Sequence, residues 1–207
     1  MFKALFAAAT FALFTLSAQA TVLTPTLGFS SYNLAPYSIG PAYAGDAADG
    51  EISRLYDVFA LPTAAAGTVV QSALLSVNIT DRYNGASNPL GVYAVTADPT
   101  VEANWASQPA LGTLLTSFNP SQNSATYTFD VTGFINSQYL GDGIATLAIA
   151  GLTEGKGQNS WSYFNTAATT LTIQTAKVPE PGSLALIGIA LAGMGALRRS
   201  RRAASKA

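Results

Sequence analysis

From residue 21 to residue 177, apolar side chains recur mainly at every second position. Turn-forming Gly, Pro, Asn and Asp interrupt them every eight to twelve residues. A period of two is that of a strand with one face buried, and this turn spacing predicts an all-β sandwich. The clearest case is residues 69–80. Val69, Ala73, Leu75, Val77 and Ile79 fall on one face, interrupted by Gln71. Ser72, Ser76, Asn78 and Thr80 fall on the other, with Leu74 the exception. Residues 125–131 alternate as cleanly, with Ala125, Tyr127, Phe129 and Val131 set against Thr126, Thr128 and Asp130.

The remaining runs fit the same plan. Residues 27–34 read as a first strand, and 35–50, with five Gly and Pro residues, as a long loop. Residues 52–61 are apolar on both alternations, as a strand buried on both sides must be, and Pro62 ends them. Residues 81–89 form a turn and 90–97 a strand. Residues 98–112 are a longer connection with Trp105 and Pro109. Residues 132–140 predict one or two helical turns with Phe134 and Ile135 inward. Asp130 and Thr132 are placed to satisfy the free N–H groups at that turn. Residues 144–150 are an uncharged buried strand and 151–159 a polar loop; 161–164 and 169–175 close the domain. No internal repeat is evident.

The two ends depart from this pattern. Residues 1–20 carry one early cation, Lys3, then an apolar stretch over 4–16 and the small-x-small triplet Ala18-Gln19-Ala20. That is the layout of a secretory signal peptide cleaved after Ala20, and it implies export through the Sec translocon and signal peptidase. At the other end Pro179, Glu180 and Pro181 precede an uncharged apolar run over 184–197, then Arg198, Arg199, Arg201 and Arg202. A run of this length sits at the lower limit for a membrane-spanning helix, ~17 residues. The arginines would hold its far end on the cytoplasmic side of the inner membrane. The chain thus divides into 1–20, one domain at 21–177, and a tail at 178–207.

Removing the ends changes the charge. The whole chain carries a formal −1, but residues 21–177 hold four basic residues (Arg54, Arg82, Lys156, Lys177) against ten acidic ones. An acidic domain with no cluster of Lys and Arg is a poor partner for nucleic acid. The chain has no Cys and no His. That excludes Cys nucleophiles, Ser-His triads and ordinary zinc sites, and leaves the domain held by its core without disulfides.

The ordered tail, Pro-Glu-Pro then an apolar span then arginines, resembles the PEP-CTERM sorting signal of Gram-negative bacteria. The resemblance implies that the membrane protease exosortase recognises the tail and removes it during export. The mature protein is then expected at the cell surface or outside the cell. A plain single-pass anchor is the alternative. A second resemblance runs through the middle. Its marks are Phe59-Ala60-Leu61-Pro62, Ser72-Ala73-Leu74-Leu75, Val92-Tyr93-Ala94-Val95, Trp105 with Pro109, and Phe129-Asp130-Val131-Thr132. This order is similar to the jelly-roll modules called DNRLRE domains, relatives of some carbohydrate-binding modules on secreted proteins. It implies a single jelly-roll-type β-sandwich that does no chemistry.

Three aromatic residues are candidates for sugar contact: Trp105, Trp161 and Tyr163. A flat ring packs on the apolar face of a pyranose while polar neighbours read its hydroxyls. Trp161 and Tyr163 share one face of a short strand. The plainer reading makes all three core residues under loops. Asp46, Asp49 and Glu51 lie in a Gly-rich stretch and could supply oxygen ligands to calcium, although their spacing fits no strong calcium loop; a solvated acidic loop is the plainer reading. Paired carboxylates of a glycoside hydrolase are singled out by nothing in the sequence. Three functions follow as expectations: a surface or matrix protein associated with exopolysaccharide and biofilm, a dedicated carbohydrate-binding module, and a hydrolase.

Overall fold

The computed structural model describes residues 19–33, 42–46, 50–83, 89–101, 103–156 and 160–178, together with 188, 190, 191 and 193. The strands are β1 (Gln19–Leu23), β2 (Leu27–Tyr32), β3 (Tyr43–Asp46), β4 (Ile52–Ala60), β5 (Thr68–Arg82) and β6 (Leu90–Val95). They continue with β7 (Leu111–Phe118), β8 (Ala125–Asp130), β9 (Ile144–Gly151), β10 (Ser160–Phe164) and β11 (Thr170–Lys177). One helix, α1 (Thr132–Tyr139), separates β8 from β9.

Two compact units are present. The larger takes Ala18–Ala64 and Val70–Thr175 and is the β-sandwich. Hydrogen bonds link its strands in the order β1-β11-β5-β10-β3-β4-β9-β6-β7, with β2 added on β4 and β8 on β5. The smaller unit includes Ala65–Val69 and Ala176–Ala207. Within it the Val178 N–H donates to the Gly67 carbonyl at 2.6 Å. Of its tail, Gly188, Ala190, Leu191 and Gly193 are helical. Among the described residues no helix is long and apolar enough to cross a membrane; most of the predicted span lies outside them.

The alternation read in the sequence builds the core. Leu55 and Phe59 of β4, Leu75, Val77 and Ile79 of β5, Leu147 and Ile149 of β9, and Leu171 and Ile173 of β11 meet in one cluster. Ile135 of α1 joins it fully buried, and Phe134 packs against it partly buried. The other side of β4 is buried as well. Tyr56 meets Phe29, Val95, Ala103 and Ala148 in a second cluster, so the double-sided apolar pattern of residues 52–61 has its cause. The loop leading to β7 roofs this second cluster: the Tyr56 hydroxyl donates to the Pro109 carbonyl at 2.9 Å and lies 3.0 Å from Gln108 Oε1.

Three expectations are corrected. Residues 35–50 are not loop throughout, because Tyr43–Asp46 form β3 between β10 and β4. The glycine there serves close packing. A Cβ on Gly45 would lie 2.5 Å from the Ser160 carbonyl oxygen, and its φ of +145° disfavours other residues. Strand β7 went unread because it is an edge strand whose pairing with β6 shifts register twice, which breaks any period of two. In β5 the buried face starts at Val70, 3% exposed, while Val69 is 39% exposed. Between Val70 and Ala73 the strand bonds to α1 instead of to a neighbouring β8 residue. Asn136 exchanges two hydrogen bonds with Val70, and the Ala73 N–H donates to Thr132 Oγ1 at 2.9 Å. Pairing with β8 begins at Leu74, and from there the expected alternation holds.

Candidate functional site

Strand β10 lies between β3 and β5, and its pleat decides what it shows. Ser160, Ser162 and Phe164 are buried, while Trp161 and Tyr163 are half-buried on the other face. The register sets Tyr163 opposite Tyr43 and Trp161 opposite Gly45. Residues directly opposite on paired strands share a face, so Tyr43 joins the two predicted rings. Gly45, having no side chain, leaves the indole uncovered on that side. The rings of Tyr43 and Tyr163 are 5.8 Å apart and those of Tyr43 and Trp161 6.3 Å, both tilted. Tyr83 stacks parallel on Trp161 at 4.1 Å, and Tyr32 backs Tyr43 at 4.5 Å.

Tyr43, Gly45, Asp46, Glu51, Trp161 and Tyr163 line a cleft of ≈ 80 Å³. Ligand-enclosing pockets run to ~300–1,000 Å³, so this cleft suits the edge of a molecule lying across it. Its polar groups are fixed. The Tyr43 hydroxyl donates to Glu51 Oε1, and Asp46, fully buried, accepts the Lys156 N–H at 2.9 Å through Oδ2. Burial, reinforced by the bond to Glu51, pushes the Tyr43 hydroxyl well above the ordinary tyrosine value. Burial likewise pushes Tyr32 up to about 12. Both phenols therefore stay protonated through the physiological range.

Trp105 does not line this cleft. Arg54 sits 4.6 Å over its ring and makes a two-point bond with Glu154 at 2.9 and 2.7 Å. Glu154, which holds it, is a hundred residues away in the chain. Asp130 accepts from the N–H and hydroxyl of Thr132 at 2.9 and 2.6 Å, as expected of a turn-capping residue. Those bonds hold its carboxyl below the usual range.

Of the calcium candidates, Asp46 and Glu51 border one cleft and Asp49 lies outside the described residues. No group of three metal-ligating side chains gathers among the described residues. Ala20 lies in β1 opposite Gln174. Ala18, Pro179, Glu180, Pro181, Arg198, Arg199, Arg201 and Arg202 lie outside the described residues.

The sequence reading missed Tyr32, Tyr43 and Tyr83. Tyr43 was hidden by the neighbouring glycines, which suggested a loop. No period of two marks Tyr43–Asp46, whose last three residues are all buried. Tyr83 follows β5 into the turn and is placed by its N–H, which donates to the Trp161 carbonyl at 2.9 Å.

Comparison with known proteins bears on both parts of the chain. Residues 177–202 match the PEP-CTERM protein-sorting motif. Residues 43–175 match the model of carbohydrate-binding module family 96. Among curated proteins, none matches the chain. Among solved structures, the chain is similar to the CBM36-1 domain of a multidomain xylanase from the hindgut metagenome of Trinervitermes trinervoides. The identity is 14% over 75% of this chain and 96% of that one, with a TM-score of 0.35. It is also similar to the coat protein of Tobacco streak virus, at 12% identity over 81% of this chain and 92% of that one, TM-score 0.31. The module of carbohydrate-binding kind expected from the strand motifs and the sorting signal expected from the tail are both found. With its family model spanning β3 through β11, the chain belongs to carbohydrate-binding module family 96.

Proposed function

We propose that this is an exported surface protein whose sandwich holds polysaccharide on the face made by Tyr43, Trp161 and Tyr163, without cleaving it. The observation that carries the reading is the alignment of three half-exposed rings over a glycine, beside fixed carboxylates. A pyranose offers an apolar face to the rings and hydroxyls to Glu51. Trp105, whose ring meets Arg54 away from the cleft, serves to hold the roofing loop and is not counted among the contacts.

The sorting match at 177–202 supports delivery by exosortase. The Sec translocon and signal peptidase act earlier on residues 1–20, the precursor stays in the inner membrane until its tail is cut, and the mature protein joins an exopolysaccharide matrix. The non-cleaving role is supported by both cleft carboxylates being engaged by protein donors, Asp46 by a backbone N–H and Glu51 by a phenol.

Affinity electrophoresis of the purified protein through gels containing different polysaccharides tests the binding role. Retardation by at least one polymer, lost in Trp161→Ala, is expected; free migration in every gel overturns it. New reducing ends released from a bound polymer, and abolished by Glu51→Gln, would overturn the non-cleaving role. The intact mass of the protein recovered from cells tests the sorting. A mass running from Thr21 to the Pro-Glu-Pro region is expected, and one retaining Arg198–Arg202 excludes removal of the tail.

A further inference from the structure

We infer that the turn Ala65–Val69, tied to Val178, is the surface against which the tail-removing membrane protease docks; the inference rests on the exosortase sorting proposed above. Little chain separates the fold from the motif. Strand β11 runs to Lys177, and the sorting match begins at that residue. The Val178 N–H donates to the Gly67 carbonyl at 2.6 Å, and Pro179, Glu180 and Pro181 follow directly. Three residues of chain span at most about 11 Å. A protease gripping the Pro-Glu-Pro motif therefore works within about that distance of Val178. A folded domain of even about 100 residues has a radius of gyration of about 13 Å. That is too large for the gap, so the enzyme must meet the turn that holds Val178.

The turn and the tail belong to one compact unit, and the surface they share is uncharged. The Thr68 N–H donates to the Ala65 carbonyl at 3.0 Å and Gly67 has a φ of +72°, the arrangement of a type II turn. Ala65, Ala66 and Gly67 are exposed. Two large apolar side chains stand out with them, Val69 at 39% and Val178 at 48% exposed. Residues 61–80 carry no charge of either sign, although 21–177 hold ten acidic residues. Uncharged and partly apolar surface costs little to take out of water, whereas a charge there would cost much. The place suits a partner embedded in the membrane. Leu184, where the uncharged run of the tail begins, is six residues beyond Val178, a reach of at most about 22 Å. In the precursor the turn is thus carried to the membrane surface together with the motif.

The test follows tail removal from the full-length precursor in cells that carry the enzyme, by pulse labelling and intact mass. Ala66 is exposed and lies outside the left-handed region, so a longer side chain there probes the contact without disturbing the turn. Expected is removal at least threefold slower in Ala66→Glu and in Ala66→Arg. A flexible Gly-Ser spacer of about ten residues inserted after Val178 lets the enzyme reach the motif at a distance from the turn. In that chain Ala66→Glu should be processed as fast as the spacer chain alone. A spacer chain that keeps its tail also supports docking, because the motif alone is then not enough. Unaltered rates in both charged variants overturn the docking surface, as does a slowing that persists undiminished with the spacer. Slowing by one sign of charge alone overturns the enzyme as occupant; slowing by Glu alone places an anionic lipid surface there instead. Tail retained in the unaltered chain overturns the sorting reading, and the inference with it.

Discussion

The sandwich carries two aromatic layers outside its main core, and they are treated in opposite ways. Under the loop leading to β7, Phe29 stacks on Tyr56 at 5.1 Å with the rings nearly parallel. The loop closes over them, and Tyr56 is fully buried with its hydroxyl bonded to Pro109. On β3 and β10 the rings of Tyr43, Trp161 and Tyr163 are left half-exposed, and the residue opposite the indole is a glycine. Ring content is similar in the two places; what differs is the cover. A roofed layer has its polar atoms satisfied by protein and contributes to stability. An open one has spare ring face, which is what a ligand needs.

The acids run the other way. At the open cleft Asp46 and Glu51 each accept a hydrogen bond. On β4, Asp57 is 2% exposed and its Oδ1 has no hydrogen-bond partner among the described residues. Burial alone pushes its pKa up to about 7.

The contrast is sharpest in stability. Tyr56→Ala should cost about 4 kcal/mol, the range for removing a buried aromatic, read as a shift in denaturant midpoint, while leaving polysaccharide affinity per folded molecule unchanged. Asp57→Asn should act in the other direction. The folded protein keeps the Asp57 proton up to about pH 7, whereas the unfolded chain releases it near 3.8. Between those values the folded state holds more protons, so stability falls as pH rises from about 4 to about 7 and stays at the lower level above. The amide abolishes that slope and adds about 3 kcal/mol at pH 8, after some allowance for relaxation around the charge. Unfolding curves of both proteins at pH 5 and pH 8 check it; parallel behaviour at the two pH values contradicts the assignment.

At the open layer the balance reverses. Trp161→Ala should weaken polysaccharide binding tenfold or more, about 1.4 kcal/mol, and change stability by about 1 kcal/mol, because the ring is only half-buried. Titration and thermal melts on the same sample measure both. The smallest effect belongs to Gln108→Ala. Its Oε1 accepts the Ser31 hydroxyl at 2.7 Å, so about 1 kcal/mol of stability is lost with binding untouched. A large loss of affinity there would mean that the roof, and not the open layer, meets the ligand.

How much of this was legible in the sequence follows from where periodicity survives. Strands β4, β5, β8 and β9 lie against the core on at least one whole face, so their side chains record it, down to the two-sided burial of Ile52–Ala60. Where another element interrupts the ladder, the record slips by one residue, as at Val70 beside Asn136. Edge strand β7 has few core neighbours, and β3, although buried, is four residues long, too short to leave a pattern. For the site, Trp161 and Tyr163 could be set on one face by counting in twos. Their partner Tyr43 is more than a hundred residues away, and only the register of β3 against β10 brings it alongside. Nothing local in a sequence encodes that pairing.

One consequence of placing Trp161 and Tyr163 two residues apart on a strand concerns measurement. Their spacing along the chain is set by the backbone rise, ~6.7 Å for two residues, and not by side-chain torsions. The backbone under them is pinned on both flanks, to β3 and to β5. The pair therefore works as a ruler with a fixed graduation. Exchanging one ring for another changes how firmly a sugar is gripped, while the repeat length the face can match stays the same.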